Sequence, residues 1–498
     1  MRLGVMTMRW YDYLSINAYV FGISFAAGSI TPLLLPYLVA LFVPGAEKNT
    51  YLATIRVVGL AVAMLMQPLA GLLSDRTTHR WGRRRPYIVA ATILNVLFLL
   101  IIALSPSFVH SSLNAWLQPL LGVTLAYLVL LAGIVLLQVS SNMGQAAVQG
   151  LIPDLVPEDR RGRASGVKAV MELLPSLPLI LVGGLLAAGR VGLTVGIIMA
   201  VFVATMLITV VGTREERLSA RPPGPMREPV LRLVGLTVIF VGTTRAGVWL
   251  VTNSGTWLAR QGADLATQVA VVGLAGLVAM AGSILVGVYF GARVGIGRDA
   301  PQQSPFIWWV INRLLFLAAV GSIQAFALYF LREVLLLSDA ERWTGILLAF
   351  VALFLVASAL GGGYLADRIG RRRLVMISAL VAAAGTLLLL LAQDMTLVLA
   401  GGSIIGLGTG TFMATNWALG TDLVQRAEAG RYLGISNLAG AGAGIVGAGI
   451  GGPMADFFNR LQPGLGYLVI FGVYGGLFLL SIAALTRVRV PTQAAVRA

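Results

Sequence analysis

Gly71–Pro86 reads GLLSDRTTHRWGRRRP: five arginines, one histidine and a single acid, Asp75, set between two long apolar runs. A cation at the centre of a bilayer costs roughly 2.5–3.5 kcal/mol even on a lenient insertion scale, so five of them cannot sit in hydrocarbon. The segment therefore reads as a tight polar loop joining two membrane helices, and its charge assigns it to the cytoplasmic face. A shorter copy, GYLADRIGRRR, occupies Gly363–Arg373, with Gly71, Asp75 and Arg76 recurring as Gly363, Asp367 and Arg368 at one constant offset. Such a repeat implies two bundles of one architecture joined in tandem.

Composition agrees with membrane residence. The chain has 498 residues, 58% hydrophobic and only 11% charged, with a mean hydropathy of +0.87. Soluble domains carry roughly 25% charged residues, so an all-α polytopic membrane protein is expected. The net charge of +16 does not indicate nucleic acid, because the cations follow alternate loops instead of one folded face. With no cysteine, and with His79 and His110 on opposite sides of the membrane, no metal site and no cofactor are expected. No cleavable leader is apparent before the first apolar run.

Fourteen spans are expected, near 14–43, 50–73, 87–104, 119–150, 165–189, 192–212, 231–257, 266–291, 305–330, 343–365, 374–393, 396–421, 432–452 and 466–486. With both termini cytoplasmic, most of the 36 lysines and arginines fall on the inner side, while Arg56, Arg245 and Arg313 fall within spans. Two further repeats locate the halves. Asp154-Leu-Val-Pro157 recurs as Asp422-Leu-Val-Gln425, and Gly28-Ser29-Ile30 as Gly321-Ser322-Ile323. The chain then divides into a first six-helix bundle (1–212), a cytoplasmic linker (213–230), an inserted transmembrane hairpin (231–304) and a second six-helix bundle (305–498).

The pattern G-x-L-S-D-R-T-x-x-R-W-G-R-R-R-P resembles the loop between helices 2 and 3 of the major facilitator superfamily. In its DRT…RWGRRRP form it is similar to the glycoside–pentoside–hexuronide:cation symporters and the related sucrose carriers. LIPDLVPEDRRGRASG at 151–166 and NWALGTDLVQRAEAGRYLGISN at 416–437 resemble that branch after helix 4 of each half. The resemblance covers both bundles and leaves out 231–291. It implies an inner-membrane secondary transporter whose loop, through Gly71, Asp75, Arg76, Gly82 and Arg83 with Asp367 and Arg368 in the copy, acts as a conformational latch. Gly71 and Gly82 would permit a tight turn and close backbone approach.

Polar side chains inside apolar spans are the candidate solute contacts. Gln138, Asn142, Gln145 and Gln149 share one face of the fourth span; Asn17 faces the same way as Ser24, Gly28 and Thr31 in the first. Arg313 and Gln324 share a face of the ninth span, and Asn416 adjoins Trp417 in the twelfth. The resemblance implies that these four spans line a central cavity. Amides and a tryptophan suit hydroxyl-rich solutes, giving directional hydrogen bonds and an apolar platform. Glu172, one turn from Lys168, is the only carboxylate placed within a span and hence the candidate proton carrier, with a local ion pair as its other reading. Melibiose-type sodium carriers place aspartates in helices 2 and 4; here Thr54–Leu73 has none, so no sodium site is expected. The leading expectation is alternating-access transport of a small polyhydroxylated solute, proton-coupled through Glu172. A lysolipid or other amphiphile is the second substrate class, and a non-transporting assembly or pigment-delivery factor the other functional class. An enzyme is not expected, because no nucleophile–base pair or metal-spaced motif appears. The partners expected are the solute, a proton and the lipid bilayer.

Overall fold

A computed structural model describes residues 8–215, 217, 227–295, 303–423 and 429–488, and among them every regular element is a helix. Fourteen rods follow in order: α1 (Trp10–Phe42), α2 (Lys48–Asp75), α3 (Arg85–Leu104), α4 (Leu125–Leu155), α5 (Glu158–Ala187), α6 (Val191–Gly212), α7 (Arg227–Arg260), α8 (Leu265–Gly295), α9 (Ser304–Glu333), α10 (Ala340–Ile369), α11 (Arg371–Leu390), α12 (Met395–Asp422), α13 (Ala429–Leu461) and α14 (Leu465–Thr486). Among the described residues thirteen are long and apolar enough to cross a membrane. The fourteenth, α13, contains residues 429–439, whose side chains lie outside the description, as do residues 424–428 of the second DLV segment.

Local chemistry explains where the rods bend. α1 passes through a π turn at Ile30–Leu34, where Pro32 removes a backbone donor, before the helix resumes at Leu35. α5 tightens to a 3₁₀ turn at Leu174–Ser176, which contains Pro175 and is followed by Pro178. The fourth span starts later than its apolar run suggests. Asn114–Leu121 forms a separate short helix ended by Gly122 in the left-handed region, and Thr124 then caps α4 by accepting from the Tyr127 N–H at 3.3 Å. Elsewhere helices overrun the expected apolar limits, as α7 does from Arg227 to Arg260, because charged turns can project beyond the slab.

α1–α6 and α9–α14 form the two six-helix bundles, and α7–α8 is a hairpin between them in sequence. The hairpin packs on α13 and α14, and α7 also reaches α2. The bundles meet along two seams, α2 on α13 and α5 on α10. Both seams lie at the end opposite the arginine loop, since they involve Asn49 near the start of α2 and Glu341 near the start of α10. Glycine makes these crossings possible. A Cβ on Gly452 would stand 2.4 Å from the Asn49 carbonyl oxygen, and one on Gly183 2.4 Å from that of Glu341. The molecule is thus closed at this far end, and the cavity lies below the closure. In the second bundle Phe316 stacks on Phe412 with ring centres 3.6 Å apart, fixing α9 against α12.

Candidate functional site

A cleft of about 1140 Å³ opens between α1, α2, α4 and α13. Its polar wall comes from Thr31, Arg56, Gln67, Gln138, Asn142 and Gln145. The amide face of α4 thus borders the cleft through three of its members. Gln149 is exposed and lies one turn further along, accepting from the Gln67 amide at 3.3 Å. The Asn142 amide donates to the Gln138 carbonyl at 2.8 Å, which orients its acceptor oxygen. Arg56 spans the bundles: its Nη2 donates to the Gly321 carbonyl of α9 at 3.4 Å, while Nη1 is buried with no partner among the described residues.

The second bundle supplies a linked cluster. Arg313 is 8% exposed, donates from Nη1 to Asn416 Oδ1 at 3.3 Å, and lies 5.1 Å from the Trp417 ring centre. Asn416 in turn donates to Asn312 Oδ1 at 2.8 Å, and Asn312 to the Ser481 carbonyl at 2.8 Å. Asn416 is therefore buried and holds Arg313, while Trp417 keeps a partly exposed ring. Gln324 is exposed on a helix that is otherwise mostly buried. Asn17 departs from the expectation. Its amide is 1% exposed and donates to the carbonyls of Tyr13 at 2.9 Å and Ala164 at 3.3 Å, so it fastens α1 to α5 and has no free donor for a solute.

At the arginine-loop end the organising side chain is Arg84, which sequence reading passed over. It is 6% exposed and donates to Asp154 at 2.9 Å, Asp75 at 2.5 Å and Ser74 at 3.1 Å. Burial alone would lower its pKa, but Asp154 and then Asp75 raise it above the ordinary guanidinium value. Arg83 donates to the same Asp154 at 3.0 Å. Glu215, just beyond α6, accepts from the backbone N–H of Arg84 at 2.9 Å and of Arg85 at 3.0 Å. Burial pushes the Glu215 carboxyl up, opposed by those two N–H bonds. Gly82 adopts φ +97°, where a Cβ would also strike the Glu215 side chain, so this glycine makes the turn. Gly71 is different. Its Cβ position meets nothing within 4 Å, so no close approach requires glycine there in this conformation. In the second copy Arg368 lies 4.4 Å from the Tyr364 ring centre, and Asp367 and Arg368 are both exposed. Arg76 follows α2 as its cap, donating its backbone N–H to the Leu73 carbonyl.

The closed end holds a cluster that the sequence analysis did not single out. Asp456 of α13 is 2% exposed and accepts from Asn49 N at 3.2 Å, Asn49 Nδ2 at 2.8 Å and Thr50 N at 2.7 Å. It therefore caps the first turn of α2 from the opposite bundle, where the positive helix end favours a carboxylate. Lys48 pairs with Glu333 of α9, which also accepts from Tyr467 at 3.0 Å, and Tyr329 donates to the Pro36 carbonyl of α1 at 2.8 Å. The readable signal was the acid inside an otherwise apolar IGGPMADFF run at 450–458. Asp456 lies in the α13 helix, four residues beyond the limit expected for the thirteenth span. Glu172 itself lies 3.2 Å from Lys168, with its side chain 47% exposed.

A family model described as Major Facilitator Superfamily matches residues 16–337 and 313–498. Among curated proteins, the general alpha-glucoside permease of Schizosaccharomyces pombe is 35% identical over 155 residues, covering 29% of this chain and 26% of the relative. The sucrose transport protein SUC4 of Arabidopsis thaliana is 29% identical over 150 residues, covering 30% of this chain and 28% of the relative. These matches span about a quarter of the relatives' length. Among solved structures, a D-xylose-proton symporter superposes with a TM-score of 0.60 at 16% identity, covering 97% of this chain and 99% of that one. The peptide transporter POT in complex with sulfate gives 0.61 at 15% identity, covering 98% and 96%.

Proposed function

The chain belongs to the Major Facilitator Superfamily, and on that premise we propose that it is a secondary transporter carrying a small polyhydroxylated solute by alternating access. The observation that carries this reading is the cleft itself: an amide wall from Gln138, Asn142 and Gln145 in a membrane-embedded space that is closed at one end. Amide groups offer donors and acceptors at fixed angles, as hydroxyl-rich solutes require. The curated relatives named above carry sugars by their names, which supports the same class. The test is uptake by vesicles reconstituted with the purified protein, across sugars, polyols and lysophospholipids. Saturable uptake of a sugar or polyol is expected; uptake of lysophospholipid alone would move the substrate class to amphiphiles, and no uptake at all would favour an assembly role.

In the proposed orientation the arginine loop is cytoplasmic and both termini are inside, in the inner membrane, so the closed end faces outward. The α7–α8 turn then lies outside. A single cysteine at the exposed Gln261, in this cysteine-free chain, should react with an impermeant maleimide added to intact cells. Labelling only after permeabilisation would reverse the orientation.

Proton coupling is assigned in this reading to Glu172. Glu172→Gln should abolish uphill, proton-driven accumulation while leaving solute exchange within a few-fold of wild type. If the Lys168 pair is instead only structural, the variant should lose stability and keep accumulation, and Lys168→Ala beside it should recover part of the loss. In that case Asp456 becomes the next carboxylate to test.

A further inference from the structure

Arg56 and Arg313 are cations inside the bilayer slab that pair with no acid among the described residues, and the described carboxylates of α1, α2, α4, α5, α9 and α13 are engaged elsewhere. Asp75 of α2 and Asp154 of α4 bind Arg84. Glu333 of α9 pairs with Lys48. Asp456 of α13 caps α2, Asp12 of α1 accepts from the Arg9 backbone, and Glu172 of α5 pairs with Lys168. α14 carries no acid, and the Asp422 side chain lies outside the described residues. The cleft wall itself contains no carboxylate.

Arg56 nevertheless lines that cleft, and among the described residues it reaches only a neutral carbonyl and leaves Nη1 without a partner. Arg313 holds a neutral amide oxygen and leaves Nε without one. Gly321, which Arg56 meets, and Arg313 lie eight residues apart on α9, about 12 Å of helix rise. An uncompensated charge in a low-dielectric site is costly, and a membrane protein keeps one where a ligand completes it. Guanidinium groups with free N–H edges match the oxygens of carboxylates and phosphates.

We propose that the transported solute is an anion: a polyhydroxylated body held by the amide wall, bearing one carboxylate or phosphate group that Arg56 binds, with Arg313 as the second cation on its path. This deepens the transport reading above and rests on it. A neutral sugar would cross leaving both charges unmatched, whereas an anionic one is neutralised at Arg56 as it enters the cleft.

The test compares matched ligands on the purified wild-type protein by calorimetry: glucose, sucrose, glucuronate and glucose 6-phosphate. At least one of the two anions should bind ten-fold or more tightly than glucose, and which one distinguishes carboxylate from phosphate. Arg56→Gln should erase that preference, while Arg56→Lys keeps part of it. Arg313→Gln, whose neighbours are another cluster, should weaken anion binding several-fold and serves if Arg56→Gln does not fold. Glucose or sucrose binding and being transported as well as either anion would overturn the charge assignment and leave the transport reading standing. Failure of all four to bind would overturn both.

Discussion

Arg84→Gln is expected to destabilise the first bundle by about 3–5 kcal/mol, the usual consequence of removing one partner from a buried ion pair. Arg84 is almost fully enclosed and holds two carboxylates on different helices, Asp75 at the end of α2 and Asp154 at the end of α4. Glutamine leaves both acids close together with one fewer cation, so their repulsion adds to the lost bonds. Arg83 offers partial relief because it already reaches Asp154. Its side chain is 28% exposed, so Arg83→Gln should cost clearly less. Thermal melting of the detergent-purified variants reads this directly. Equal losses for the two arginines would show that the loop is a solvated charge cluster, with no single keystone. The latch expectation attached to Asp75 shifts accordingly: Asp75 is half exposed and acts here through Arg84.

Asp456→Asn should loosen the closed end. Asparagine keeps the shape but removes the charge that faces the first turn of α2 and can place an N–H against the donors of Asn49 and Thr50. The carboxylate links the two bundles, so the loss falls on this conformation and is absent once the seam parts. A differential of about 2.7 kcal/mol corresponds to a hundred-fold shift in the two-state balance. Spin labels on cysteines at Leu113 and Leu461, both exposed at that end, should then report a second, longer distance that wild type populates little. An unchanged distance distribution would assign the closure to Lys48, Glu333 and the glycine crossings instead.

The fold was legible because its signals are local or repeated. Apolar runs marked the rods, and the arginine loop with its copy exposed the duplication and the inserted hairpin. The amide face of α4 was legible for the same reason, since positions 138, 142 and 145 share a face on any helix. What stayed hidden were partners far apart in the chain. Nothing near Asn49 names Asp456, some four hundred positions later, and nothing in RRRP separates Arg84 from Arg83. Asn17 shows the complementary limit. Periodicity states which residues share a face but not which neighbour that face meets, and its neighbour is the Ala164 carbonyl.

The hairpin gives the two seams unequal surroundings. α7 lies across α2 and α13, and between them runs a cleft of about 1000 Å³ lined by Thr54, Arg245 and Thr252 among others. The α5–α10 seam has no helix from the hairpin packed on it. The flanks therefore differ: α7 screens the approach to the α2–α13 seam with a threonine-bearing edge, while the α5–α10 seam is left bare by the hairpin. Parting the α2–α13 seam would have to carry or shed α7, whereas the α5–α10 seam can part without disturbing the hairpin.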